Sequence, residues 1–212
     1  MHASSHPKMV GSNVRYANIV PVPDIDAKRA EAAVRELLIA VGEDPDREGL
    51  LDTPARVTRM WSELLSGMTD DPSLHLERTF EIDHDEMVMV RDIEFTSMCE
   101  HHMLPFTGVA HIAYLPGATG RFTGLSKLAR LVEGYARRLQ VQERITSQLA
   151  DAMDQMLKPA GVLVVVEAEH TCMGIRGVRK PHTRTVTSAV RGIYRTDQVA
   201  RAEAMAFVNR GK

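Results

Sequence analysis

Leu125–Leu157, LSKLARLVEGYARRLQVQERITSQLADAMDQML, is the stretch whose reading decides the fold. Leu125, Leu128, Leu131, Val132 and Tyr135 recur at intervals of three and four, and Ile145, Leu149, Met153, Met156 and Leu157 resume that pattern. Leu139–Val141 marks a break, so the stretch predicts two consecutive helices; Pro159 and Gly161 stop the second. Its methionines are unbranched core filler. Short runs rich in β-branched and aromatic residues flank it, at Thr79–Ile82, Met87–Phe95, Val109–Leu115, Val162–Ala168 and Thr185–Tyr194. Parallel sheets usually alternate strand with helix, so strand pairs separated by two helices in a row predict α+β with an antiparallel sheet.

Working outward, Ala30, Ala33, Val34, Leu37, Leu38 and Val41 form a helical stripe that begins at Asp26 and stops at Gly42. Thr53-Pro54 reads as an N-cap with proline at the first helical position, followed by the apolar face of Val57, Met60, Trp61, Leu64 and Leu65. This N-terminal helical pair is stable only if its stripes find a partner surface. Residues 1–24 read as a flexible tail, residues 25–72 as the helical region, and a short helix is expected over Asp197–Asn209. In the run Val109–Leu115 both faces are apolar, and His111 is a sheet-face residue rather than a ligand. His75 and His84 lie in polar connections outside any site.

The hydrophobic fraction of 44% and charged fraction of 25% are those of an ordinary globular protein. No run approaches the roughly 18 apolar residues of a membrane span, and Met1–Val20 lacks the apolar core of a secretory signal. With 26 basic against 28 acidic side chains, net charge −2, no global excess points to nucleic acid. Two cysteines do not make a disulfide framework, which points to a reducing cytoplasm.

Those two cysteines carry the chemistry. Ser97-Met98-Cys99-Glu100-His101-His102 and Glu169-His170-Thr171-Cys172 each set a thiol within three positions of a histidine. Zinc binds thiolate sulfur and imidazole nitrogen, and a catalytic zinc takes three protein ligands and one water. Cys99, His102 and Cys172 supply such a set, leaving His101 and His170 for proton transfer. Extending the strand Val162–Glu167 would keep His170 and Cys172 on one face. A closed four-ligand zinc site, two unrelated cysteines and a Cys99–Cys172 disulfide are the alternatives; five clustered groups exceed a tetrahedral shell and favour the open site. The zinc deaminase signature is absent, as is any P-loop. Ser126, Lys127 and Arg130 stand at a helix start where N–H groups attract anions, and Arg176, Arg179 and Lys180 follow Cys172 closely, so a polyanion would meet cations from two segments. Glu143, in Gln140-Val141-Gln142-Glu143-Arg144, is a carboxylate able to accept the adjacent N–H donors of guanine.

The motifs S-M-C-E-H-H-M-L-P-F, G-L-S-K-L-A-R-L-V, R-R-L-Q-V-Q-E-R-I-T and E-A-E-H-T-C-M-G-I-R-G-V resemble those of GTP cyclohydrolase I of the folate pathway, from about Asp26 to the C-terminus. The resemblance implies a T-fold over residues 73–212, an antiparallel sheet backed by two helices, with subunits joined into pentameric barrels and two pentamers into a homodecamer. It implies hydrolysis of GTP to formate and 7,8-dihydroneopterin triphosphate, the first step of tetrahydrofolate biosynthesis, with Zn2+ on Cys99, His102 and Cys172 activating the water that attacks C8. In that scheme His170 protonates the opening imidazole ring and His101 assists at the ribose oxygen. Glu143 and Gln142 would contact guanine, while Ser126, Lys127, Arg130 and Arg176 grip the triphosphate with Arg56 of a neighbouring subunit. The Arg176–Arg184 segment is more basic than in many members of the family. Two competing readings are a T-fold enzyme with a cysteine nucleophile, such as a nitrile reductase, and a non-enzymatic zinc-binding oligomer.

Overall fold

The computed structural model describes residues 25–118 and 120–210; the expected tail, residues 1–24, lies outside them. Helix α1 (Ala27–Ala40) starts where the Asp26 carboxylate accepts the Arg29 N–H, and it stops before Gly42 at φ +88°. Helix α2 (Thr53–Leu64) is capped one residue earlier than the sequence suggested. Asp52 occupies the cap without a side-chain hydrogen bond, and its carboxylate pairs instead with Arg56. The two helices pack mainly on each other. Neither buries its stripe within the chain: α1 has no buried residue, and Leu37 and Val41 stay 62% and 67% exposed.

A short 3-10 turn, Pro72–Leu76, then drops Leu76 into the core. The strands follow as β1 (Thr79–Glu81), β2 (Val88–Cys99), β3 (Pro105–Leu115) and β4 (Arg121–Thr123). Next come α3 (Leu125–Ala136), β5 (Leu139–Gln140) and α4 (Gln142–Leu157), the two consecutive helices read from the sequence. The break between them is a two-residue strand. The chain closes with β6 (Gly161–His170), a one-turn helix α5 (Thr171–Gly174), β7 (Arg184–Gly192) and α6 (Gln198–Val208), which Asp197 caps. The expected terminal helix is thus in place. The three-residue β4, which pairs with β1 in a separate ribbon, had no counterpart in the sequence reading.

The main sheet runs β5-β2-β3-β6-β7. It is antiparallel from β2 to β7; only β5 joins in parallel, Met98 and Cys99 facing Leu139 and Gln140. Alternation then sorts the side chains. On one face Phe106, Ala110, Ile112, Tyr114, Val162, Val164 and Val166 meet Leu128, Leu131 and Val132 of α3 and Ile145, Leu149 and Met153 of α4. On the other, Ala113, Leu163 and Val165 pack with Tyr194 and with Ala204 and Val208 of α6. This is the α+β, two-helix-backed sheet of a T-fold. His111 is buried on the α6 face, its Nδ1 accepting the Asp92 N–H at 3.2 Å beside Glu167, as a sheet-face residue should be.

Candidate active site

Strand register assembles the site. Ser97 of β2 lies opposite Phe106 of β3, and Phe106 lies opposite His170 of β6. Two residues beyond the ends of that row stand Cys99 and Cys172. The β2–β3 turn is closed by the Cys99 N–H on the Leu104 carbonyl and the Met103 N–H on the Cys99 carbonyl, 2.9 and 2.8 Å. Beyond His170 the expected strand extension fails. The backbone turns helical at Thr171, whose hydroxyl donates to the Pro105 carbonyl at 2.6 Å, so α5 rather than a strand face presents Cys172.

The donor atoms of Cys99, His102 and Cys172 all lie within 4.8 Å of one another. Sulfurs sharing a tetrahedral zinc with bonds near 2.3 Å stand about 3.8 Å apart, so the three fit one ion with little adjustment. Both thiols are free, Cys99 buried and Cys172 half-buried, and His102 opens to solvent. Burial and the neighbouring Cys99 push the Cys172 thiol up, and Arg176 opposes them. A thiol held back from ionising beside a second sulfur is what a divalent cation relieves.

His170 ends β6 two residues before Cys172. Its ring stacks on Phe106, centroids 4.6 Å apart and planes 8° from parallel, and its Nε2 meets the Gln142 side-chain oxygen at 2.8 Å. Burial lowers its pKa, and the nearby Glu143 carboxylate raises it in part. Glu143 is exposed in the first turn of α4. Gln142, one residue earlier, is only 1% exposed and its amide is engaged within the chain. His101 is exposed on the β2–β3 turn, 4.0 Å from the Glu100 carboxylate.

The cations are distributed differently. Arg176 is close enough to act on Cys172. Ser126, Lys127 and Arg130 stand at the start of α3, after the uncapped Gly124. That helix ends beside β5, which pairs with Cys99, and along its axis Ser126 and Lys127 stand about 15 Å, and Arg130 about 9 Å, from that end. Arg56 is on α2, paired with Asp52.

The family model of GTP cyclohydrolase I matches residues 30–209. The chain belongs to the GTP cyclohydrolase I family. GTP cyclohydrolase 1 of Mycolicibacterium gilvum is 61% identical over 195 residues, 92% of this chain and 96% of its own length. That of Carboxydothermus hydrogenoformans is 61% identical over 184 residues, 87% and 95% of the two chains. That of Streptomyces griseus subsp. griseus is 61% identical over 183 residues, 86% and 90%. The chain is therefore an enzyme, a hydrolase with GTP cyclohydrolase I activity. Its Cys99–His102–Cys172 group suits a metal cofactor. No helix among the described residues is long and apolar enough to cross a membrane.

Two features went unread in the sequence. Phe106 closes the motif S-M-C-E-H-H-M-L-P-F with no role read for it, and only the β3–β6 register sets it under His170. Arg144 reads in the sequence only as a neighbour of Glu143, yet it grips Glu100 on the β2–β3 turn. Neither carries a local signal, because each depends on a partner remote in the chain.

Proposed function

We propose that this enzyme opens the imidazole ring of guanine in GTP by adding water at C8, releasing formate and forming 7,8-dihydroneopterin triphosphate for tetrahydrofolate biosynthesis. The observation that carries the reading is the convergence of Cys99, His102 and Cys172 within 4.8 Å, next to a histidine held by stacking and a hydrogen bond. Zn2+ held by those three would supply a Lewis acid and a water acidified to a pKa of about 7. His170 gives a proton to the ring nitrogen as the ring opens, and His101 assists at the ribose ring oxygen. The Glu143 carboxylate accepts the adjacent N–H groups of the guanine edge, which orients C8.

Ser126, Lys127, Arg130, Arg176 and a neighbour's Arg56 bind the triphosphate. The start of α3 stands away from the β5 end that pairs with Cys99, and we assign these groups to a site shared between subunits. The unburied stripe of α1 supports association of the helical region, residues 25–72, and we assign catalysis to the T-fold domain, residues 73–212. A homodecamer of two pentamers meets both requirements, and the free thiols suit the cytoplasm. The test is to incubate zinc-loaded protein with GTP and follow formate and a fluorescent oxidised pterin. Turnover with stoichiometric zinc supports the reading. GTP binding without turnover would favour a non-enzymatic oligomer, and turnover in metal-free protein would favour a cysteine nucleophile.

A further inference from the structure

Gln142 is the first residue of α4 and almost wholly buried, so every hydrogen on its amide needs an acceptor. The nitrogen lies 3.0 Å from the Val166 carbonyl oxygen, 3.0 Å from the Thr185 carbonyl oxygen and 3.1 Å from the Thr187 hydroxyl. Carbonyl oxygens only accept, so the nitrogen end must face them and the amide cannot be flipped. The neighbouring hydroxyls agree: Thr146 donates to the Gln142 main-chain carbonyl, leaving the Thr146 oxygen to accept from the Thr187 hydroxyl, 2.6 Å away. With the nitrogen fixed on β6 and β7, the Gln142 oxygen points at His170 Nε2. That oxygen has no hydrogen to give. His170 Nε2 must therefore be the donor.

We propose that Gln142 is the positioning residue of the proton donor, holding His170 in its Nε2–H form so that Nδ1 alone exchanges protons with the substrate. Resting on the reading of His170 as proton donor, this moves Gln142 from contact with guanine to the layer behind it. Stacking on Phe106 sets the plane of the ring, and the Gln142 bond sets its rotation within that plane. Nε2–H donates to Gln142 whether the ring is neutral or charged, so the ring stays still while the other nitrogen works. In the step itself the Nδ1–H bond breaks and its electron pair stays on Nδ1. The proton goes to the guanine ring nitrogen, which also keeps the pair of its breaking bond to C8. Gln142 and Glu143, adjacent in the chain, then divide the work: one faces inward to the acid, the other outward to the base.

The test uses zinc-loaded, full-length protein with 15N-labelled histidine rings. The His170 signals are those lost in His170→Ala, and neutral His170 is expected to show a proton on Nε2 and none on Nδ1. In Gln142→Met, which fills the space without an acceptor, that signature is lost. Its kcat falls about 10²-fold, with KM for GTP and zinc content little changed, because misplacing a catalytic group costs turnover rather than binding. A neutral ring protonated on Nδ1 in the unsubstituted enzyme overturns the proposal and leaves the donor reading intact. A raised KM at unchanged kcat in Gln142→Met overturns it in favour of substrate contact. Full formate release by His170→Ala removes the donor reading, and the proposal with it. If Gln142→Met fails to fold, the spectrum of the unsubstituted enzyme still decides.

Discussion

Arg144, in the first turn of α4, holds Glu100 at two points, its Nη1 and Nη2 donating to the two carboxylate oxygens at 2.5 and 3.0 Å. Glu100 lies between Cys99 and the two histidines, and its N–H also donates to the Gln140 carbonyl. The helix that starts at Gln142 is thereby tied to the turn that presents half of the metal site.

That pair has a pH signature. Arg144 holds the Glu100 carboxyl below the usual carboxylate range. A lowered folded-state pKa adds stability above the unfolded value, and the gain is lost as pH falls through the lowered one. Glu100→Gln should therefore lower the melting temperature at neutral pH and converge on the parent protein in acid. Because both partners are partly exposed, the difference should be about 0.2–1 kcal/mol, shrinking with salt. A gap that persists below the carboxylate range would assign the effect to packing.

Cys172→Ser should lose zinc and activity together. One hard hydroxyl in place of a thiolate leaves a weaker set, and Cys99 with His102 cannot complete it. Metal analysis alongside formate release checks this; full activity in metal-free protein would contradict the assignment.

His170→Ala should keep its zinc and fail at ring opening. A positioned acid contributes about 10²–10⁴-fold, so formate release should fall by that order while the ion stays bound.

Gly108 of β3 lies opposite Ala168 of β6 with no room for a side chain. A Cβ there would stand 1.9 Å from the Glu167 carbonyl oxygen and 2.7 Å from the Ala168 Cα, both backbone. Overpacking usually costs about 1–3 kcal/mol, and strands cannot yield as a flexible side chain can. Gly108→Ala should fall at or above the top of that range in chemical unfolding, and zinc uptake should suffer, since this contact lies in the ladder that leads into Cys172.

Co-expressing Lys127→Ala with Cys172→Ser should restore activity that neither variant has alone. Hybrid assemblies would contain sites that draw an intact α3 start from one chain and intact cysteines from another. No recovery would place both groups in the service of a single chain.

Much of this was readable from local pattern. The period of Leu125–Leu157 gave both helices, and each cysteine carried a histidine close by in the chain. Three points escaped for a shared reason. Asp52 took the cap from Thr53 because neighbouring short polar residues compete for one position. Cys172 left the strand because the Thr171 hydroxyl ties the backbone to Pro105, a contact remote in sequence. Gln142 turned inward because β6 and β7 offer its amide carbonyl acceptors that do not exist until the sheet has formed.

Because His170 reaches the cluster only through its pairing with Phe106, the centre also audits the weaving of the sheet. A slip of one residue between β3 and β6 would send that imidazole to the α6 side, since neighbours along a strand look opposite ways. Such a misthreaded chain could still bury valines and leucines well enough to stay compact. With Cys172, two residues past His170, shifted away from Cys99 and His102, it would take up no ion, so metal content would sort correctly woven molecules from convincing impostors.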